Sequence, residues 1–97
     1  MKSKSVKLTI KNKSGIHARP ASIFVREASK CNAEISVKKE DEVVNGKSLI
    51  GLLMLAASYN TTVTITATGK DYKEAITTLK NLVTTNAEFN ELEKDRK

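Results

Sequence analysis

From Thr62 to Thr68 every second residue is threonine, and Val63, Ile65 and Ala67 fill the gaps. Successive side chains of a strand point to opposite faces, so an extended segment here has one dry face and one hydroxylated face. The same period of two recurs twice. Val6, Leu8 and Ile10 alternate with Lys7, Thr9 and Lys11, and Ala33, Ile35 and Val37 alternate with Glu34, Ser36 and Lys38. A shorter candidate, Val43-Val44, follows the polar run Lys39-Glu40-Asp41-Glu42. Strands that are apolar on one side only belong in an antiparallel sheet covered on one side.

Three further segments can supply the cover. Pro20 to Lys30 places Ala21, Phe24, Val25 and Ala28 at helical spacing, with Pro20 in the first turn, where a missing N–H costs nothing. Ser48 to Ala57 is apolar at nearly every position. Asp71 to Thr84 carries Tyr72, Ala75, Ile76, Leu79, Leu82 and Val83 on one stripe. Asp71 and Glu74 are spaced to cap its start, and Gly69 marks the turn before it. The order is βαββαβα, an α+β chain with three helices on the dry face of a four-stranded antiparallel sheet. Its 97 residues have room for one core only, built from aliphatic side chains because aromatics are 4%. Residues 85–97 are polar apart from Ala87, Phe89 and Leu92, and either extend the last helix or trail from it.

Composition excludes several function classes. The single Cys31 rules out an internal disulfide framework and a multi-cysteine metal site. It reads as a small apolar residue at a helix end, in a reducing compartment. No apolar stretch follows Met1-Lys2-Ser3-Lys4-Ser5 as a signal peptide requires, and the longest apolar run, Leu49 to Ala57, is too short for a bilayer. A cytoplasmic protein without membrane insertion is expected. The net charge is +6, and residues 1–13 hold five lysines and no acid. Those lysines mostly alternate with apolar residues and lack interleaved aromatics, which suits a solvated strand face better than a nucleic-acid surface. A basic nucleic-acid-binding α+β module would also give the only histidine no role.

That histidine is His17, within Ser14-Gly15-Ile16-His17-Ala18-Arg19-Pro20-Ala21. It falls between an expected strand and the start of an expected helix. A helix N-terminus exposes unpaired N–H groups and the positive end of the dipole, and so favours anions. Arg19 adds a planar cationic fork suited to phosphate, and Gly15 lets the backbone come close. Positive surroundings disfavour imidazolium, so His17 would tend to be neutral and nucleophilic. A nucleophile beside an anion site is what phosphoryl transfer through a phosphohistidine requires. A surface histidine capping a helix accounts for the same residues.

Gly46-Lys47-Ser48 looks like the tail of a P-loop, but the glycine that motif needs five residues earlier is Asp41. Ser48 instead suits the N-cap of the following helix, where a phosphate would sit at the favourable end of the dipole. In that helix Leu49, Ile50, Leu52, Leu53, Met54 and Leu55 run nearly all round. A helix resting on one sheet cannot bury every side, so part of it is a partner surface or lies under a neighbouring element. Asn12-Lys13-Ser14 and Asn60-Thr61-Thr62 match the glycosylation sequon by chance in a chain without a secretory signal.

Gly15-Ile16-His17-Ala18-Arg19-Pro20-Ala21 and Gly46-Lys47-Ser48-Leu49-Ile50-Gly51, at this spacing, resemble the HPr family, the histidine-containing phosphocarriers of the bacterial phosphoenolpyruvate:sugar phosphotransferase system. The resemblance implies an open-faced β-sandwich with strand order 1-4-2-3. It implies one HPr-like domain over 1–97, with its core at about 4–84 and an extension at about 85–97. Enzyme I would phosphorylate His17 on Nδ1, and the phosphoryl group would pass to EIIA domains of sugar permeases. Arg19 matches a phosphate-assisting arginine, and Ser14 a position beside the active loop. Ser48 matches a serine modified by an HPr kinase/phosphorylase, and Leu49, Ile50 and Leu53 match a hydrophobic docking surface. The expected protein is a monomer that other enzymes use as a substrate, with no cofactor, metal or nucleic acid. Ile50 and Leu53 stand where many members carry Met, the chain runs longer at its C-terminus, and its positive charge is unusual. A nitrogen-type paralogue serving a regulatory relay is the alternative within the family.

Overall fold

The structure, a computed structural model, describes residues 2–11, 16, 18–55, 57–58 and 60–85. Along the chain follow β1 (Ser3–Thr9), α1 (Ala18–Ser29), β2 (Glu34–Lys39), β3 (Glu42–Asn45), α2 (Leu49–Leu55), β4 (Thr62–Thr68) and α3 (Tyr72–Thr85). The strands form one antiparallel sheet in the order β1-β4-β2-β3. Its strand and helix count, and its strand order, are those expected from the sequence and the family resemblance.

The alternation fixes the register. β4 sets Val63 against Leu8 and Ile65 against Val6 on one side, and Ala67 against Ile35 and Ile65 against Val37 on the other. Leu8, Ile35, Val37, Val63, Ile65 and Ala67 are all buried on one face. A slip of one residue would turn this whole set to water, which is why the register is specified so firmly. On the opposite face the Ser5 and Thr66 hydroxyls share a hydrogen bond of 2.7 Å. Val43 pairs with Lys38 and stays 60% exposed, whereas Val44 packs on the core.

The helices close the dry face. α3 packs on β1 and β4, α2 packs on β3, and α1 meets both helices. Ala21, Phe24 and Ala28 of α1, Leu52 and Leu55 of α2, and Ala75, Ile76, Leu79 and Val83 of α3 join the strand residues in one core. α1 starts at Ala18, two residues ahead of Pro20. The proline stays in the first turn, where no carbonyl awaits its missing N–H.

Asp71 departs from its expected role. It does stand at the start of α3, and its carbonyl accepts the Ala75 N–H at 2.9 Å. Its carboxylate, however, accepts the N–H groups of Asn32 at 2.9 Å and Ala33 at 2.7 Å rather than those of α3's first turn. The side chain therefore ties the α1–β2 turn to the β4–α3 turn. Gly69 lies in the same junction with φ at +143°, and a Cβ there would stand 3.0 Å from the Ala33 Cα. Only glycine meets both demands without strain. α3 runs to Thr85, and the expectation for residues 86–97 lies outside the described residues. No helix among the described residues is long and apolar enough to cross a membrane.

Candidate functional site

Two stretches carry the sequence-derived candidates: the start of α1 and the turn that leads into α2. Ile16 is half-buried against the core, and its N–H donates to the Ala57 carbonyl at 2.8 Å. α1 opens two residues later at Ala18. His17 falls between these two points in the chain; it lies outside the described residues, as do Ser14 and Gly15. α1 is 12 residues long with no acidic side chain in its first turn. No carboxylate of that turn therefore competes for an anion that the positive end of the helix dipole attracts. Arg19 lies exposed in that turn, and Ala18, Arg19, Ser22, Ile23 and Arg26 line an open groove along the helix. The helix N-terminus and Arg19 both follow position 17 within two residues along the chain, and both are chemically suited to an anion.

The β3–α2 turn is built by short-range bonds. The Gly46 N–H reaches the Ile35 carbonyl at 2.7 Å. A Cβ on Gly46 would come 2.5 Å from the Ile35 Cγ2, so the turn can approach β2 only without one. The Lys47 N–H donates to the Asn45 Oδ1 at 2.8 Å, and its ammonium donates to the Cys31 carbonyl just past α1 at 2.7 Å. Ser48 then caps α2 as expected. Its Oγ accepts the Gly51 N–H at 3.0 Å, and its carbonyl accepts the Leu52 N–H at 3.1 Å. Leu52 and Leu55 turn inward, while Leu49, Ile50, Leu53 and Met54 stay exposed. An apolar surface thus stands beside the capping hydroxyl. The family resemblance implied Leu49, Ile50 and Leu53 for this surface; Met54, named only among the apolar residues round the helix, joins them, and its spacing four residues after Ile50 was a usable signal.

Two titrating groups near this turn are perturbed. Burial, aided by the Asp71 charge, pushes the Cys31 thiol above its ordinary value, against the pull of Lys47. The Asn32 N–H, with smaller help from Ala33 and Lys47, holds the Asp71 carboxyl below the ordinary carboxylate value despite some desolvation. Cys31 sits just beyond α1, half-buried, as the sequence suggested. Among the described residues no cluster of three or more His, Cys, Asp or Glu side chains could hold a metal ion.

Comparison with known proteins joins these observations. The family model described as the PTS HPr component phosphorylation site matches residues 4–85. The phosphocarrier protein HPr of Neisseria meningitidis is 42% identical over 76 residues, which are 78% of this chain and 85% of that protein. A crystal structure of HPr from Thermoanaerobacter tengcongensis superposes with a TM-score of 0.81 at 43% identity, covering 89% of this chain and 94% of that one. The HPr-like protein Crh of Bacillus subtilis is 41% identical over 70 residues, or 72% of this chain and 82% of that protein. A crystal structure of Crh is described as a swapped dimer, and a second structure of the Thermoanaerobacter HPr as a dimer. Those assemblies belong to the relatives, and they sit poorly with the expectation of a monomer here. Matched over most of its length and folded with the same strand order, this chain belongs to the HPr family of phosphotransferase-system phosphocarriers.

Proposed function

We propose that the chain relays phosphoryl groups through His17, accepting them from phospho-enzyme I and passing them to EIIA domains of sugar permeases. The observation that carries this reading is the place of His17, one residue before a 12-residue helix whose first turn holds Arg19 and no acid. The lone pair of a neutral imidazole Nδ1 attacks phosphorus, the donor's P–N bond breaks, and the same exchange runs again toward the acceptor. The helix N–H groups and the Arg19 guanidinium balance the phosphoryl charge in both directions. Ser14 adds a hydroxyl beside the loop. No cofactor or metal is needed, and the protein serves as a substrate of its partners rather than a catalyst.

Exposure of Leu49, Ile50 and Leu53 supports their use as the docking surface for these cytoplasmic partners. Ser48, at the cap of α2, is the regulatory position. A phosphate added there by an HPr kinase/phosphorylase places charge beside the apolar surface and hinders docking. Similarity to Crh, described as a catabolite repression HPr, supports a second, regulatory reading, in which Ser48 is the residue used. Incubation with phosphoenolpyruvate and enzyme I, followed by mass spectrometry, tests the relay. The label should be acid-labile, base-stable and absent from His17→Ala, and labelling of that variant refutes the proposal. Phosphorylation of Ser48 without any labelling of His17 would select the regulatory use, and labelling only by a nitrogen-type enzyme I would select the paralogue.

A further inference from the structure

Met54 is 72% exposed, the highest value among the large apolar side chains described. It lies one helical turn beyond Ile50, itself 65% exposed, so the two side chains are surface neighbours on α2. The chain's one other methionine is Met1. A thioether open to water reacts with peroxides, whereas the thiol that would compete is shielded. Cys31 is half-buried, with its Sγ turned to the Glu27 carbonyl at 3.8 Å, and burial keeps it protonated and therefore a poor nucleophile.

We propose that Met54 is an oxidation site whose sulfoxide weakens partner docking, making the apolar surface of α2 responsive to peroxides. This rests on the docking role proposed for Leu49, Ile50 and Leu53. A sulfur lone pair attacks one oxygen of hydrogen peroxide, the O–O bond breaks and an S–O bond forms. Sulfur loses two electrons, and the departing hydroxide takes the proton of the oxygen now bound to sulfur and leaves as water. The product carries a polar acceptor in the middle of an apolar surface. Docking must strip water from that oxygen, and an unpartnered polar group lowers affinity about tenfold or more. Folding is spared, because the anchoring of α2 falls to Leu52 and Leu55. Sulfoxide reductases reverse the change.

The test treats the purified full-length protein with hydrogen peroxide, removes the oxidant with catalase, and measures the Michaelis constant of enzyme I for it. A mass gain of one oxygen should map to Met54, with an unchanged melting temperature and a Michaelis constant raised about tenfold. Methionine sulfoxide reductase should restore the original value. In Met54→Leu, which retains Cys31, peroxide should leave the Michaelis constant where it stood before treatment. Full conversion of Met54 with no change in the Michaelis constant, while Ile50→Asp raises it, overturns the inference and leaves the docking surface standing. No change in Ile50→Asp either would show that the docking assignment itself has failed. Failure of Met54 to oxidise under conditions that convert free methionine would also overturn the proposal.

Discussion

Removing the Ser48 hydroxyl isolates one hydrogen bond at the start of a seven-residue helix. Ser48→Ala leaves the Gly51 N–H without its acceptor, and α2 has few other turns to share the loss. Truncation of an N-cap serine costs about 1 kcal/mol, within a span of roughly 0.5–2. In a domain of this size that corresponds to a fall of about 4–8 °C in Tm per kcal/mol. Ser48→Asp retains an acceptor oxygen and places a negative charge at the favourable end of the dipole, a gain of at most about 1 kcal/mol. Gly51 has no Cβ to crowd the longer side chain, since one would stand 3.2 Å from the Ser48 Oγ. The expected melting order by circular dichroism is Ala below Ser, and Asp level with Ser or slightly above. Docking should move the other way for the Asp variant, with a raised Michaelis constant for enzyme I, because the new charge must lose water. Ser48→Ala melting with the wild type, or Ser48→Asp melting with Ser48→Ala, would show that the Ser48 hydroxyl does not hold the start of α2.

Gly46→Ala should lower the urea midpoint by an amount equivalent to roughly 1–3 kcal/mol, since the new Cβ must displace the buried Ile35 side chain; an unchanged midpoint would mean that the turn shifts freely. The lowered pKa of Asp71 makes its contribution to stability fully present above the unfolded carboxylate value of about 4 and lost as pH falls through the folded value. Stability of the wild type should therefore drop over that acid window, and its advantage over Asp71→Asn should narrow there; parallel curves in denaturant titrations at several pH values would contradict this. Arg19→Lys keeps the charge but loses the planar fork, so stopped-flow transfer to and from enzyme I should slow without a change in melting; equal rates would remove Arg19 from the relay.

The period-two segments were legible because each strand has one wet face, and the pairing of Val63, Ile65 and Ala67 with their neighbours leaves no other register dry. The exposed side of α2 was legible for a related reason: Leu49 to Leu55 offer more apolar surface than one sheet can cover. Asp71 was misread because cap spacing is local, whereas the Asn32 N–H that its carboxylate takes lies 39 residues away. Lys47 was seen only as a member of motifs, the failed P-loop match and the family segment Gly46 to Gly51, since nothing in the sequence places its ammonium at the Cys31 carbonyl. Gly46 belongs with it: the close approach that forbids a Cβ exists only once β2 lies beneath the turn. The roles given to His17 and Ser14 stand on motif and on position in the chain.

β1 lies at the sheet edge with β4 as its neighbour, and even its nearest hydroxyl partners, Thr9 and Thr62, are 53 residues apart. During synthesis β1 leaves the ribosome first and has nothing to pair with until β4 follows. At translation rates of about 5–20 residues per second, that wait lasts on the order of several seconds. An unpaired strand with an apolar face is then open to pairing with nascent neighbours on the same message. Lys4 and Lys7 lie within β1, and residues 1–13 hold five lysines without one acid. Mutual repulsion between such stretches opposes that pairing, and with β4 in place Lys4 and Lys7 remain exposed to water. The charge that looks out of place on the finished molecule is thereby suited to the moments before it is finished.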